Sequence, residues 1–231
     1  MATQSSEATG SVSRRVWDAP VRLTHWAMVL LLIVLVASAL IGGDAMDWHV
    51  RAGEAMLALV VFRIVWGFLG SRYARFSSFV RGPARVLTYA RSIVRPPHQF
   101  HIGHNPLGGW MVIILLLALL VQAGTGLFSN DDVLTEGPLV RFITKDLSDA
   151  ISSIHRKNAW IVVALACLHI GAVLFYLLAL RENLIRPMIA GAKDVPSAYV
   201  SAAHDAQSRN GLAALLFAVC VCAVWFLVTW H

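Results

Sequence analysis

Long runs of apolar residues, separated by polar and basic segments, are the main pattern of this chain. Five runs have approximate bounds of 25–41, 52–69, 107–128, 155–180 and 211–230. Each is long enough to cross the roughly 30 Å hydrocarbon core of a bilayer as an α-helix. Backbone polar groups in lipid must be satisfied within the segment, which favours helices over open sheets. The pattern therefore predicts an all-α integral membrane protein with five transmembrane helices.

The polar segments between these runs indicate the domain organisation. Residues 1–13 are rich in Ser and Thr and lack the apolar core of a secretory signal, so they are expected to form a disordered N-terminal head. Residues 14–190 contain the first four spans and form the expected bundle domain. A polar linker over 191–210 then leads to a fifth transmembrane helix over 211–230.

Basic residues lie mainly on one side of the predicted spans. Of the 19 Lys and Arg residues, 13 fall in the N-terminal segment, the second connection or the fourth connection. The positive-inside rule then places the N-terminus in the cytoplasm and the C-terminus in the periplasm of a bacterial cytoplasmic (inner) membrane protein. The net charge of +6 would also suit nucleic acid. Because the basic residues flank apolar spans, membrane lipid is the expected partner and nucleic acid is not.

Composition excludes a soluble protein and several cofactor classes. The chain is 58% apolar and only 14% charged. Its three cysteines, Cys167, Cys220 and Cys222, lie inside apolar runs and form no CxxCH motif. They therefore indicate neither covalent c-type haem nor a disulfide or zinc framework.

Four histidines lie near the ends of spans and agree in predicted depth. His155 and His169 are on the fourth span, and 14 helical positions return to within about 40° of the starting face over roughly 21 Å. His25 lies at the cytoplasmic end of the first span, and His49 precedes the second span at its outer end. The predicted topology therefore pairs His25 with His169 inside and His49 with His155 outside.

Paired imidazoles at two depths suit two haem b groups, with the four histidines as axial ligands of the haem iron. Two axial histidines leave no open coordination position, which suits electron transfer rather than oxygen chemistry. A single histidine near a helix end is more often interfacial or hydrogen-bonded. A metal relay or proton path is the competing function, but no Asp or Glu lies deep in any span to complete it. The matched depths favour haem ligation.

Several stretches resemble the bacterial di-haem cytochrome b family, which includes the cytochrome b561 type and the cytochrome b subunit of nickel–iron hydrogenases. The stretches are VWDAPVRLTHW, FRIVWGFLG, GHNPLGGWMVIILLLALLVQAGTGLF and ENLIRPMIAG, and the resemblance covers most of residues 16–190. It implies a four-helix haem-binding bundle whose ligands come from the first, second and fourth spans. The matching positions are His25, His49, His155 and His169. The fifth C-terminal helix departs from the four-helix members.

Other residues are candidates for contact with the cofactors. Gly53, one turn after His49, would let a macrocycle approach the backbone, although ordinary helix packing also explains it. The same two interpretations apply to Gly124, Gly126 and Gly171. Arg63 lies deep in the second span, where it would bind a haem propionate or a quinone carbonyl, or else snorkel to the inner surface. Arg22 could neutralise a propionate of the inner haem, although topology alone also explains a basic residue there.

A short H-x2-H-x2-H motif precedes the third span. It consists of His98, His101 and His104, and its spacing could bind a metal. Two prolines precede the motif, and His104 belongs to the GHNP stretch that carries the family resemblance. A role for His104 in a quinone site or at the membrane interface is therefore favoured over metal binding.

The resulting functional prediction is a di-haem b-type cytochrome that conducts electrons across the membrane between a redox partner and the quinone pool. The resemblance implies ubiquinone or menaquinone, and a periplasmic cytochrome c or a dehydrogenase or hydrogenase subunit as partner. An acidic outer loop between residues 128 and 152 offers a docking surface. No catalytic residue is assigned. A stand-alone superoxide:quinone oxidoreductase and a non-redox transporter or scaffold are the alternatives, and the acidic loop argues mildly against the superoxide reaction.

Overall fold

The computed structural model describes residues 10–93, 100–202, 204–206 and 209–230. In chain order the elements are β1 (Ser11–Arg15), α1 (Ala19–Ile41), α2 (Ala45–Leu69), α3 (Phe76–Phe79), α4 (Pro83–Ser92), α5 (Pro106–Gly126), α6 (Lys145–Leu178), α7 (Ile185–Ala190), β2 (Ala192–Pro196) and α8 (Asn210–Thr229). Short 3₁₀ helices cover Val140–Phe142 and Ser197–Ala202. Helices α1, α2, α5, α6 and α8 are long and apolar enough to cross a membrane. The prediction of an all-α membrane protein with five spans is confirmed.

Helices begin at polar caps that precede the apolar runs. The side chain of Asp18 accepts a hydrogen bond from the backbone N–H of Val21 at the start of α1. Asn105 caps α5 in the same way, and Thr144 caps α6. The cap at Thr144 explains why α6 begins at Lys145 rather than near the predicted bound at 155. The first turns of α6 are polar, so hydropathy alone does not reveal them.

Helix α2 lies at the centre of the bundle. It packs against α1, α5 and α8, while α5 packs against α6. Apolar side chains of α2, α5 and α6 form one core, with members including Met56, Val60, Leu116, Leu119 and Val162. Among the described residues, α1 and α6 are not a packed helix pair. The two helices that carry His25 and His169 are therefore connected through α2 and α5 rather than packed tightly on each other.

The pairing of the two strands requires an even number of membrane crossings between them. Strand β1 pairs antiparallel with β2, with Ser11 opposite Pro196 and Arg15 opposite Ala192. Paired strands must lie on one face of the membrane, so α1, α2, α5 and α6 form an even number of crossings. On the opposite face, the Arg141 guanidinium donates to the Trp230 carbonyl after α8 at 2.6 Å. The α5–α6 loop and the end of α8 therefore share the other face.

The structure corrects the sequence interpretation of two polar segments. The head predicted over 1–13 lies partly outside the described residues, but Ser11–Arg15 forms β1. The linker predicted over 191–210 contains β2 and a 3₁₀ helix. The backbone N–H groups of Val16 and Trp17 both donate to the Gly191 carbonyl. Each segment supplies hydrogen-bond partners for the other, and this long-range pairing leaves no periodic signal in either one.

Candidate haem-binding sites

Two histidine pairs lie at opposite ends of the bundle. His25 on α1 faces His169 on α6, and their ring centroids are 6.4 Å apart. His49 on α2 faces His155 on α6, with ring centroids 6.3 Å apart. We call the first the inner pair and the second the outer pair. The structure brings together both pairs that the sequence predicted.

The ring spacing fits a six-coordinate metal between the rings of each pair. Imidazole nitrogen binds a metal at about 2.0 Å, and the ring centre lies about 1.1 Å beyond the nitrogen, so two axial imidazoles have centroids roughly 6.2 Å apart. The observed separations of 6.4 and 6.3 Å are close to this value. Direct stacking or hydrogen bonding between two imidazoles would not require such matched spacing at both ends. The residues present fit bis-histidine ligation of haem iron.

Hydrogen bonds orient the outer pair for ligation. The Nδ1 atom of His49 lies 3.0 Å from the Leu35 carbonyl oxygen and 3.1 Å from Ser38 Oγ. The Nδ1 atom of His155 lies 3.0 Å from the Gln122 carbonyl oxygen. A carbonyl oxygen only accepts, so these contacts assign the proton to Nδ1 of each ring. The Nε2 lone pair is then available for a metal, as in most metal-binding histidines.

The end of the bundle that contains the inner pair also contains buried polar atoms that lack a hydrogen-bond partner among the described residues. They include Nδ1 of His25, Nε of Arg22, Oγ of Ser71 and Nδ1 of His104. Buried polar atoms in native proteins are normally hydrogen-bonded. Their concentration at one end of the bundle fits a bound polar group there, and haem propionates have the required acceptor oxygens.

Arg63 is buried beneath the segment that follows α2. Its side chain is among the buried charged groups, at 5% exposure. One guanidinium nitrogen donates to the Ala74 carbonyl at 3.4 Å, and the Phe76 ring lies 5.5 Å from the guanidinium carbon. The nearby buried Asp18 carboxylate attracts it and also accepts from Trp66 Nε1 at 3.0 Å. Arg63 therefore does not snorkel to the inner surface, and most of its donors remain available to an anionic group.

Arg22 has a structural contact as well as an unpartnered atom. One guanidinium N–H donates to the Ile189 carbonyl, which ties α1 to α7. A Cβ atom at Gly191 would lie 3.2 Å from the Arg22 guanidinium carbon. Arg22 is thus packed below the α7–β2 turn. Its unpartnered Nε–H is the group that could donate to a propionate, as predicted for this residue.

The candidate glycines differ in what surrounds them. A Cβ atom at Gly53 would meet only Leu35, at 4.0 Å, and a Cβ at Gly124 or Gly171 would meet nothing within 4 Å. These positions have the space that a macrocycle would need. A Cβ atom at Gly126 would lie 3.1 Å from Cε1 of His155. Gly126 therefore makes room for the imidazole itself.

The three histidines of the H-x2-H-x2-H motif do not form a described metal site. His98 lies outside the described residues, and no cluster of three or more metal-ligating side chains is found in the rest. The His104 ring lies between Trp17 and Phe79, with centroid distances of 4.6 and 4.4 Å. Burial, then the positive charge of Arg63, lowers the pKa of His104 to about 3. His104 is therefore a neutral ring beside the inner pair.

A cavity with several polar side chains in its lining, here called the polar cavity, lies on the same face of the bundle as the inner pair. Its volume is about 350 Å³, and its lining comprises Arg81, Arg85, Thr88, Tyr89, Ser92, His101 and Pro106. The Tyr89 hydroxyl is 2.7 Å from the Tyr176 hydroxyl, and either oxygen can donate in this pair. The Tyr176 hydroxyl accepts a hydrogen bond from Asn105 Nδ2 at 2.9 Å. Burial and the neighbouring Tyr176 raise the pKa of Tyr89, so its phenol stays protonated. The cavity thus contains a neutral O–H donor and two cationic side chains.

The acidic outer loop is anchored to α6 close to the outer pair. The backbone N–H of Asn130 donates to Ser152 Oγ at 2.9 Å, one turn from His155. Lys145 forms ion pairs with Asp132 and Asp149. Three backbone N–H groups donate to the Asp131 carboxylate, so much of the acidity stabilises the loop itself.

The tip of this loop presents apolar side chains. Val133 is 78% exposed and Leu134 is 91% exposed. Both lie outside the helices that could cross the membrane. Exposed apolar residues next to acidic ones suit a contact surface for another protein.

Two amides, half-buried Gln122 on α5 and buried Asn158 on α6, were not predicted from the sequence. Asn158 Nδ2 donates to the Ala118 carbonyl at 2.9 Å and to Gln122 Oε1 at 2.8 Å. Their only sequence signal is an uncharged polar residue within an apolar run, with Asn158 one turn after His155.

Comparison with known proteins agrees with the geometry. The family model described as prokaryotic cytochrome b561 matches residues 16–191. The "Probable Ni/Fe-hydrogenase B-type cytochrome subunit" of Bradyrhizobium diazoefficiens is 25% identical, with 80% of this chain and 88% of that protein covered. The "Probable Ni/Fe-hydrogenase 1 B-type cytochrome subunit" of Escherichia coli K12 is 26% identical, with 75% and 85% covered. No solved structure shows significant similarity.

The family match covers both histidine pairs and all of the four-helix unit, from the start of α1 to the turn before β2. Helix α8 lies beyond it. The chain therefore belongs to the prokaryotic cytochrome b561 family, and it is a multi-pass membrane electron-transfer protein with b-type haem.

Proposed function

We propose that this chain holds two b haems, one at the inner pair and one at the outer pair, and conducts electrons between a periplasmic redox partner and the membrane quinone pool. The inner pair lies toward the cytoplasm of a bacterial inner membrane, with the N-terminus on that side. The observation that carries the proposal is the matched ring spacing of 6.4 and 6.3 Å at opposite ends of α6.

The residues of each pair determine what the site can do. Bound haem supplies reversible one-electron chemistry of iron. His25 and His169 would fill both axial positions at one end, and His49 and His155 would fill them at the other. Two histidine ligands at each end would leave no position at the iron for oxygen. At the inner pair, buried Arg63 supplies donors and positive charge for propionates.

The polar cavity supports a quinone site near the inner pair. Tyr176 lies seven positions after His169, which is about two turns or 10 Å along α6. When Tyr176 donates the hydrogen bond between the two hydroxyls, the Tyr89 O–H can donate to a quinone carbonyl. The Arg81 and Arg85 side chains favour a reduced, anionic headgroup. Quinone reduction consumes protons, and a cavity on the cytoplasmic face would draw them from that side.

The outer loop supports the docking of a redox partner near the outer pair. Its anchor at Ser152 places the loop one turn from His155. Val133 and Leu134 supply apolar contact, while acidic neighbours favour a basic partner surface. The relatives described above are named as hydrogenase cytochrome subunits. By analogy, the proposed partner is a hydrogenase or dehydrogenase subunit, or a cytochrome c.

Haem quantification on detergent-purified protein tests this function. A reduced-minus-oxidised spectrum should show b haem at two per polypeptide. His169→Ala should remove the inner haem and His49→Ala the outer one, leaving one haem in each variant. His204→Ala, a substitution in the exposed linker, is the matched histidine control and should retain both. A single haem in the unmodified protein would show that one pair is misassigned, and no haem would favour a non-redox transporter or scaffold.

A further inference from the structure

Two amides, buried Asn158 and half-buried Gln122, lie beside the outer pair. Asn158 is buried, and both hydrogen bonds of its Nδ2 group go to α5, to the Ala118 carbonyl and to Gln122 Oε1. Polar side chains in a membrane span are costly unless they have partners. The Asn158 contacts fix the direction of the Gln122 amide, whose nitrogen then points toward His155.

The Gln122 residue touches the His155 ring in two ways. Its backbone carbonyl lies 3.0 Å from Nδ1 of the ring. Its side-chain nitrogen lies 3.2 Å from Nδ1 and 3.1 Å from Nε2. A position nearly equidistant from both ring nitrogens is well off the lone-pair direction of Nε2. The amide therefore restrains the ring and leaves Nε2 available to iron.

No equivalent amide contact to the inner pair is found among the described residues. Nδ1 of His25 has no hydrogen-bond partner among the described residues. The planes of the inner rings meet at 59°, whereas those of the outer rings are nearly perpendicular, at 80°. The amide contact is therefore specific to the end of the bundle where His155 and His49 face each other.

We propose that Gln122, held in place by Asn158, is a positioning residue that fixes the plane of the His155 imidazole and tunes the outer haem. This inference rests on the proposed haem at the outer pair. Outer-shell hydrogen bonds orient metal-bound histidines and adjust their basicity. The partial positive charge of the amide N–H beside the ring draws electron density from the ligand, which favours the ferrous state.

Gln122→Met tests the role, because Met preserves the length of Gln but has no polar amide N–H beside the ring. We expect the largest g value of the outer ferric haem in the electron paramagnetic resonance spectrum to shift, because it depends on the angle between the axial ring planes. At fixed ambient potential, the Fe(III)/Fe(II) ratio of the outer haem should rise severalfold, because the partial positive charge of the amide N–H no longer stabilises the ferrous state. The inner haem should keep its g values and its ratio.

Asn158→Leu is the second variant, since it keeps Gln122 but removes the hydrogen bond from Asn158 that orients its amide. The largest g value and the Fe(III)/Fe(II) ratio of the outer haem should change in the same direction as in Gln122→Met, and by a smaller amount. Thr229→Val, at an exposed position on α8, is the control. It should leave the g values and Fe(III)/Fe(II) ratios of both haems unchanged. Selective loss of the outer haem in either amide variant also supports a positioning role. Two haems with unchanged outer g value and ratio in both variants would overturn the inference, whereas no outer haem in the unmodified protein would overturn the proposed function instead.

Discussion

Single residues determine how closely the outer histidine approaches α5. Gly126→Ala would place a methyl group 3.1 Å from Cε1 of His155, closer than an unstrained contact allows. The ring must shift, so we expect reduced occupancy of the outer haem with the inner haem retained. Haem per polypeptide measures the effect. Gly211→Ala is the control because a Cβ there meets nothing within 4 Å, and equal haem content in the two variants would contradict the prediction.

Arg63 should affect the inner haem through its charge. A buried positive charge stabilises the reduced, less positive state of a nearby iron, because a low-dielectric environment screens it poorly. Arg63→Gln should therefore lower the midpoint potential of the inner haem and leave that of the outer haem unchanged. A spectroelectrochemical titration of both haems tests this. Arg75→Gln removes an exposed arginine and should change neither potential; equal shifts at both haems would argue against a local effect.

Candidate site positions were predictable from sequence for histidine, which can ligate metal, but not for the neutral amides. The histidines at positions 25, 49, 155 and 169 were identified because an imidazole in a span is rare and their depths could be compared. Gln122 and Asn158 carry no charge, and their partners lie on different helices. Only the folded arrangement shows that Asn158 reaches Gln122 at 2.8 Å.

Among the elements, the outer loop should be sensitive to acid. The N–H groups of Val133, Thr135 and Leu134 hold the pKa of Asp131 down at about 2, below the value near 3.9 of an unperturbed aspartate. A depressed pKa contributes stability that is present above pH 4 and is lost as the pH falls toward 2. Hydrogen exchange of residues 130–136 should therefore increase over that window.

Asp131→Ala should show faster exchange in this loop already at neutral pH. The neighbouring Asp146→Ala substitution, on the first turn of α6, is the control and should leave the exchange of residues 130–136 as it is. If the loop exchanges equally fast in the unmodified protein and in Asp131→Ala, the carboxylate does not hold it.

Elements defined by an apolar run were predicted well, whereas those defined by long-range partners were not. The predicted span over 25–41 ends where α1 ends, at Ile41, because Gly42 and Gly43 follow with positive φ angles of 68° and 54°. Strands β1 and β2 are too short and too polar to stand out. Each depends on the other for its backbone hydrogen bonds, so neither is visible in a local window.

At the scale of the whole molecule, the proposed orientation can be measured from accessibility. In a background with Cys167, Cys220 and Cys222 replaced by Ala, Leu134→Cys should react with a membrane-impermeant maleimide in intact bacteria whose outer membrane is permeabilised. Ser13→Cys, on β1, should react only after the inner membrane is disrupted. The opposite pattern would reverse the orientation and place the outer pair on the cytoplasmic side.

The pairing of β1 with β2 also has a consequence for biosynthesis. Strand β1 leaves the ribosome first, yet its partner is made only after α1, α2, α5 and α6. The entropic cost of closing so long a loop falls once the intervening helices are inserted and packed, because little free chain then remains to be ordered. We therefore expect the strands to pair after the four helices have been made and packed. Helix α8 is synthesised last and packs against α2, after both strands that connect the start and end of the four-helix unit have been made.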